Sequence, residues 1–494
     1  MVSAQKDSIF IQAKLSADKK TLSVTQQITY HNRSQNALDS LKLLNWIAAY
    51  SKRRTALVER KLEDRNNSLY FAKENEIGKV LSFETPQFTV SPEDLTKENI
   101  FVKLQQPLQS GEVLRFQLNY TLQLPDRKFT GYGTGESLVN LKYFFIVPDH
   151  FDPENKVARS YKDTEESVNF NTFWNIKIDL PPTFFAHSNL QKVSEREFTG
   201  ASDVDPEFVI ADKTFPSIEI LDPEIATQIK FGYSITPQEL QNLEFFLPLQ
   251  LKFLKDRIGK IPPSIFISEK FRSKEDFFGN NDISFWKFRF KLFTDAEKTD
   301  QDYFGIVAKK ILDNIIIADK EEYHWFKNGL KSYLEIQYLN KFYSNAKLLG
   351  NLNETKILGI KPVKLFHVSD VKLLDRYGLA YQYIMSQNLD QKIGEPFSKL
   401  SNFNDMAISS FETGSLFAFS ADKMGEENFK TVLKNYISEN RERAADPNEF
   451  LQKLAEKDLK NLRKLDMEII KNAVFARHGY AFKKPTYRYF FEQT

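Results

Sequence analysis

Between residue 8 and about residue 200, apolar and polar positions alternate in short runs closed by turn residues, as in "IFIQAKLS", "TLSVTQQITYHN", "VLRFQLNYTLQL" and "FWNIKIDLP". Successive side chains of a strand point to opposite faces, so this period of two predicts strands with one buried face, and residues 1–205 read as an all-β domain. The Gly-rich "GYGTGES" (131–137) lacks the Lys-Ser/Thr of a phosphate-binding loop and is followed by more strand-like sequence, so it reads as a plain loop. At "GASDVDPEF" (200–208) the pattern changes. Beyond it, "TPQELQNLEFFLPLQLKFLKDRIG" carries apolar residues at helical spacing behind a Thr-Pro start and before Gly259, and a double proline then leads into the strand "SIFISEK". From about 303 onward helical spacing dominates, and the last fifty residues read as charged amphipathic helices. The pattern as a whole predicts a multidomain α+β chain.

Composition narrows what such a chain does. At 494 residues the chain exceeds one ordinary core and suggests about three domains. Its 68 Lys and Arg nearly balance 66 Asp and Glu, which argues against nucleic acid as a partner. No run approaches the roughly 18 apolar residues of a membrane-spanning helix; the densest are "LLNWIAAY" and "NIIIA". The absence of cysteine excludes disulfides, cysteine nucleophiles and Cys-type zinc sites, and fits reducing and oxidising compartments alike. The opening "MVSAQ" is compatible both with a cytosolic start and with the small-residue end of a removed leader.

The six histidines, His31, His150, His187, His324, His367 and His478, are all more than thirty residues apart. Hydrolytic zinc sites place two of them one helical turn apart, so that both imidazoles leave one helix face. That local pairing is absent. A Ser-His-Asp set is scattered by nature, but the chain has no Gly-x-Ser-x-Gly elbow.

Residues 307–313, "VAKKILD", and 324–335, "HWFKNGLKSYLE", resemble the paired helices of the aminopeptidase N-like gluzincin metallopeptidases, whose pattern is Val-Ala-His-Glu-x-x-His followed by Trp-Leu-Asn-Glu-Gly-Phe-Ala-x-Tyr-Leu-Glu. Val307, Ala308, Trp325, Gly329, Tyr333, Leu334 and Glu335 match scaffold positions. The resemblance, spanning 8 to about 440, implies a β domain followed by a thermolysin-like α/β and helical domain over 206–440. It also puts Lys309 and Asp313 where the family has its two His ligands, Lys310 at the general base, Asn328 at the Glu ligand, and Phe411 of "FETGSLF" at the tyrosine that steadies the oxyanion. No catalytic residue survives in this reading, and the connection between the two helices is about four residues shorter than the family's. Lys309 and Asp313, one turn apart, are expected to pair as an exposed couple worth about 0.3 kcal/mol, or to face solvent separately. "FFGNNDI" aligns with the family's substrate strand. Gly279, Asp282, Lys309 and Lys310 are then the candidate binding residues, the two lysines favouring an acidic or free-carboxylate ligand. No cofactor is expected, zinc belonging only to the alternative of an active hydrolase.

A second resemblance lies in "NLRKLDMEIIKNAVFARHGYAFKKPTYRYFFEQT", which is similar to the YARHG domain of bacterial envelope proteins, with "FARHGY" (475–480) at the end of an amphipathic helix. It is expected over 441–494, stopping short of the module's usual Trp-Tyr, with His478 a structural helix-end residue. Together the resemblances imply an inactive metallopeptidase-like protein that binds a peptide or partner protein in the periplasm or outside the cell; a cytoplasmic location stays open.

Overall fold

The computed structural model describes residues 6–51, 54–165, 172–202, 204–269, 282–285, 288–356, 361, 367–441 and 443–458. The architecture is mixed α+β, with a β-rich N-terminal region and helices after it. Its strands, numbered along the chain, form five sheets. The largest runs in the order β12 (Gln191–Ser194), β13 (Glu197–Ser202), β10 (Thr172–Asp179), β1 (Asp7–Leu15), β2 (Thr21–His31), β6 (Val113–Gln123) and β4 (Lys79–Glu84). A second contains β11 (Phe185–Ser188), β14 (Phe208–Ala211), β8 (Leu138–Leu141) and β7 (Gly133–Thr134), and a third β5 (Asn99–Leu108), β3 (Leu38–Leu44) and β9 (Val147–Pro148).

Each predicted alternation is a strand. In β1 every second residue from Asp7 to Leu15 is buried, while Phe10, Gln12 and Lys14 face outward. The Gly-rich loop is a turn apart from β7, where Gly133 has φ +120° and a Cβ would stand 2.0 Å from the Pro125 carbonyl oxygen, so only glycine fits. The region is β-rich rather than all-β. Helix α1 (Ala56–Glu63), capped by the Thr55 hydroxyl, was hidden in the sequence by its short length and packs beside the buried turn Trp46–Tyr50.

After Ser217 a three-stranded sheet, β15 (Ser217–Ile220), β16 (Thr227–Phe231) and β17 (Ser264–Ile267), is followed by the hairpin β18 (Asp282–Phe285) and β19 (Phe288–Lys291). Helix α2 (Pro237–Ile258) starts and stops as its sequence predicts: the Thr236 hydroxyl accepts from the Glu239 N–H, Pro237 opens the first turn, and Gly259 ends it at φ +77°. Helix α3 (Asp295–Ile315) opens on a Thr294–Glu297 capping box, and α4 (Lys320–Phe342) on Asp319. There follow α5 (Asp375–Ser386), a π-helical segment Asp405–Glu412 that runs into α6 (Thr413–Met424), α7 (Glu426–Glu439) and α8 (Pro447–Asp458).

One buried apolar cluster draws its members from Ile9 to Ile210, and a second from Ile218 to Leu454. Polar links join the two regions. Arg159 reaches Asp319 with both terminal nitrogens, at 2.8 and 3.2 Å, and so fixes the residue that caps α4. Arg60, on α1, donates to the Leu400 carbonyl at 3.0 Å.

Candidate functional site

Helices α3 and α4 pack against each other, and the residues singled out by sequence lie along their contact. Val307, Ala308, Tyr333 and Leu334 are completely buried, with Trp325 and Glu335 nearly so. Gly329 faces α6, as expected of the Trp325, Gly329, Tyr333 row: a Cβ there would lie 2.3 Å from Thr413 Cγ2. Gly414 answers from α6, where a Cβ would meet Ser332 Cβ at 2.4 Å.

Lys309 and Asp313 do pair, at 3.0 Å, but the couple is neither exposed nor alone. Lys327 of α4 contacts the other oxygen of Asp313 at 3.2 Å, so one carboxylate is clasped by two ammonium groups from two helices. Burial alone would raise the Asp313 pKa; Lys309 and Lys327 outweigh it and hold the group down at about 2. Burial likewise opposes the charge of Lys309, and Asp313 and Glu165 overcome it, leaving that lysine above its ordinary value.

Lys310 points to the β-rich region, where Glu207 Oε2 lies 3.8 Å away. The same carboxylate is 3.7 Å from Lys142, which is also bonded to Glu165. Tyr132 and Tyr143 each donate a hydrogen bond to Glu165 at 3.2 Å. Burial is the largest influence on Lys310, Lys142 adds repulsion, and Glu207 and Glu165 compensate only in part, so its pKa falls to about 8. Lys142, by contrast, is raised: burial opposes its charge, but Glu165 and Glu207 prevail. Two sequence-predicted lysines are thereby engaged with carboxylates. Beside them a cavity of about 230 Å³ is bounded by Lys310, Asp313, Glu165, Glu207, Ser202 and Ser264 among others.

The remaining candidates are scattered. Asn328 donates to Asp405 in the π-helical segment at 3.1 Å. Phe411 is buried against Tyr377, ring centroids 4.9 Å apart, and does not line the cavity. Gly279 lies outside the described residues, and Asp282 is placed only by its backbone, paired with Lys291 in the β18–β19 hairpin. His367 sits in a 3₁₀ turn, and His478 lies outside the described residues.

Histidines that are distant in sequence do meet: His31 Nδ1 and His150 Nε2 approach the two oxygens of buried Asp7 at 2.6 and 2.8 Å, with Arg33 on the same carboxylate. That is a satisfied buried carboxylate. His324 Nε2 is 2.9 Å from the Ser409 hydroxyl, yet both are buried, and among the described residues no carboxylate is hydrogen-bonded to His324 Nδ1 as the third member of a triad. Burial keeps His324 near a pKa of about 4, neutral at physiological pH. Among the described residues no three His, Asp or Glu side chains converge in a way that could hold a metal ion.

Sequence reasoning missed Lys142, Glu165, Glu207 and Lys327. Lys327 was within reach, being next to Asn328 in the matching segment. The other three come from strands and loops more than a hundred residues away and carry no local signal.

The YARHG domain family matches residues 447–494, and no curated protein matches the chain. Among solved structures, the M1 zinc metallopeptidase from Deinococcus radiodurans is similar at a TM-score of 0.51 and 12% identity, over 92% of this chain and 89% of that one. A mutant from the same organism bound to a Tyr-Ser-Ala substrate aligns at 0.51 and 11%, over 92% and 90%. A two-domain M1 mutant bound to L-arginine aligns at 0.52 and 11%, over 92% and 90%. The chain thus has the aminopeptidase N-like fold of M1 zinc metallopeptidases along most of its length and carries a YARHG domain at 447–494.

Proposed function

We propose that this is a catalytically inactive metallopeptidase-like protein that holds an extended peptide, or the terminus of a partner protein, without cleaving it. The observation that carries the reading is the clasp on Asp313. A zinc ligand must offer a lone pair, and both oxygens of this carboxylate already face ammonium groups at 3.0 and 3.2 Å. Lys309 and Lys310, at the positions of a first ligand and a general base, are donors without an acceptor atom while protonated. The donor set therefore does not fit zinc.

In this reading residues 1–205 form the β domain, 206–440 a degenerate thermolysin-like domain and 441–494 the YARHG module. Ligand contact falls to Gly279, Asp282, Lys309 and Lys310. Lys309, its side chain 28% exposed, supplies the accessible cation, and Lys310 lines the adjoining cavity. Export to the bacterial envelope is proposed from the YARHG match, and no helix among the described residues is long and apolar enough to cross a membrane.

The test combines elemental analysis of the purified chain, a panel of aminoacyl fluorogenic substrates, and capture of a defined peptide library. The expected result is no stoichiometric zinc, no turnover, a melting temperature unmoved by chelators, and peptide capture that Lys309→Ala weakens several-fold. Stoichiometric zinc with turnover would instead establish a zinc-dependent hydrolase with another ligand set.

A further inference from the structure

Three complementary groups meet at the cavity of about 230 Å³ beside Lys310. The lysine itself is 7% exposed and lines it, with Glu207 Oε2 3.8 Å from its nitrogen. Two further oxygens belong to residues of the same wall, Glu207 Oε1 and Ser264 Oγ, and both are buried without a hydrogen-bond partner among the described residues. Buried polar atoms are usually paired, so two spare ones beside one amine call for an explanation. The cavity also opens to solvent, because Gln191, Ala201 and Pro263 line it and are exposed. An amine, a spare carboxylate oxygen and a spare hydroxyl thus share one space that a small molecule can enter.

We propose that Lys310 captures a small aldehyde in this cavity as an imine. The neutral amine attacks the carbonyl carbon and forms the C–N bond of a carbinolamine, which then loses water. Both amine protons pass by way of Glu207 Oε1 to the carbonyl oxygen, which leaves as that water, so amine and aldehyde go in, imine and water come out, and nothing is oxidised or reduced. The Ser264 hydroxyl donates to the carbonyl oxygen while it carries charge.

The surroundings select this chemistry. Burial, then repulsion from Lys142, lowers Lys310 to about 8 against the pull of Glu207, Glu165 and Asp313, so a neutral amine is available near neutral pH. An uncharged imine relieves both costs. A carbamate made from carbon dioxide would instead place a new anion beside Glu207. An aldehyde carbon bears one substituent where a ketone carbon bears two, so less has to fit beside a buried nitrogen. This capture goes beyond the holding of a peptide, which turns on Lys309 as the accessible cation.

Treating the full chain with propanal and cyanoborohydride at pH 7.5, and following each lysine by tandem mass spectrometry, tests this. Lys230 is the control: burial lowers it to about 8 as well, but it donates to the Ser188 and Leu190 carbonyls at 2.7 and 3.0 Å and is not part of the cavity wall. At that pH an amine of pKa about 8 is neutral roughly two hundred times more often than an ordinary lysine. Lower basicity also makes a poorer nucleophile, as among thiols, and takes back roughly a tenfold part. Lys310 should therefore be alkylated about tenfold faster than both the median exposed lysine and Lys230. A rate no higher than theirs would overturn the proposal. Glu207→Gln removes a charge that favours the protonated amine, so electrostatics alone would speed the reaction. Loss of the proton acceptor should slow it several-fold instead, and an unchanged or faster rate would overturn the step as written. The comparison of Lys310 with Lys230 uses the parent chain and stands however that variant folds. Peptide capture is read separately through Lys309→Ala, so either reading can fail without the other.

Discussion

Lys327 Nζ stands 3.2 Å from Asp313 Oδ1, across the carboxylate from Lys309 Nζ at 3.0 Å from Oδ2, so that a single acid joins α3 to α4. Where relatives of this fold gather ligands about a cation, this chain gathers lysines about an anion. Removing one member of such a buried set leaves its partners uncompensated, which is more damaging than the set is stabilising.

Asp313→Asn is therefore expected to destabilise the protein by about 3 kcal/mol at neutral pH. The sign of its acid dependence follows from the lowered pKa of about 2. Below the ordinary carboxylate value of about 3.9 the unfolded chain takes up protons first, so this stability is present above that value and is lost as pH falls toward 2. The window is worth about 2 kcal/mol. Urea unfolding at pH 6 and pH 3 should find the gap between parent and variant narrowing in acid. Asp7, also held at about 2, remains in both proteins, so the difference isolates Asp313. A gap that stays constant would show that the clasp is not ionic.

Lys310 predicts the opposite limb. Its pKa of about 8 lies below the ordinary lysine value, so between the two the unfolded chain binds more protons and stability rises with pH. Lys310→Met removes that rise. The parent should gain on the variant by on the order of 3 kcal/mol between pH 8 and about 10.5, and near pH 7 the variant should be the more stable, because methionine removes both the cost of burying the Lys310 charge, the largest influence on it, and the repulsion from Lys142, against the loss of the Glu207 contact. Parallel stability curves would sink the assignment of Lys310 as a strained cation.

What the sequence made legible was the local part of this. Alternation gave the strands of the large sheet, and Thr236, Pro237 and Gly259 gave both ends of α2 because caps are decided by a few adjacent residues. The i, i+4 relation of Lys309 and Asp313 was likewise local. Their burial was not, since it depends on Lys142, Glu165 and Glu207 arriving from the β-rich region. An expectation of an exposed, isolated pair followed from reading one helix without its neighbours.

Restoring the family pattern with Lys309→His, Lys310→Glu, Asp313→His and Asn328→Glu should not restore hydrolysis. Lys142 and Lys327 would remain in the site as cations beside any metal, and the new carboxylate at 310 would face Glu207. Phe411 would still be buried away from the cavity wall. Zinc affinity is expected to stay weak and stability to fall. Family-like turnover by the quadruple variant would show that the lysine network is incidental and that the scaffold remained preorganised.

Helix α4 meets α6 glycine against side chain on both sides, and the two glycines should fail in different ways. A methyl at 329 would collide mainly with Thr413, at 2.3 Å from Cγ2 and 2.8 Å from Cβ, whereas one at 414 would meet Ser332 Cβ at 2.4 Å and the Tyr333 backbone nitrogen at 2.9 Å. Forcing atoms into packed space costs about 1 to 3 kcal/mol, so Gly329→Ala and Gly414→Ala should each lose stability on that scale. Thr413→Ser removes the methyl nearest position 329 and keeps a hydroxyl to donate to the Ile408 carbonyl, as Thr413 does at 3.1 Å. It should recover much of the Gly329→Ala loss and none of the Gly414→Ala loss, whose obstacle includes backbone. A double-mutant cycle read by denaturant unfolding separates the two, with a coupling energy above about 0.5 kcal/mol expected for the first pair alone. Equal coupling for both pairs, or none for the first, would mean that the helices do not approach as closely here as these distances require.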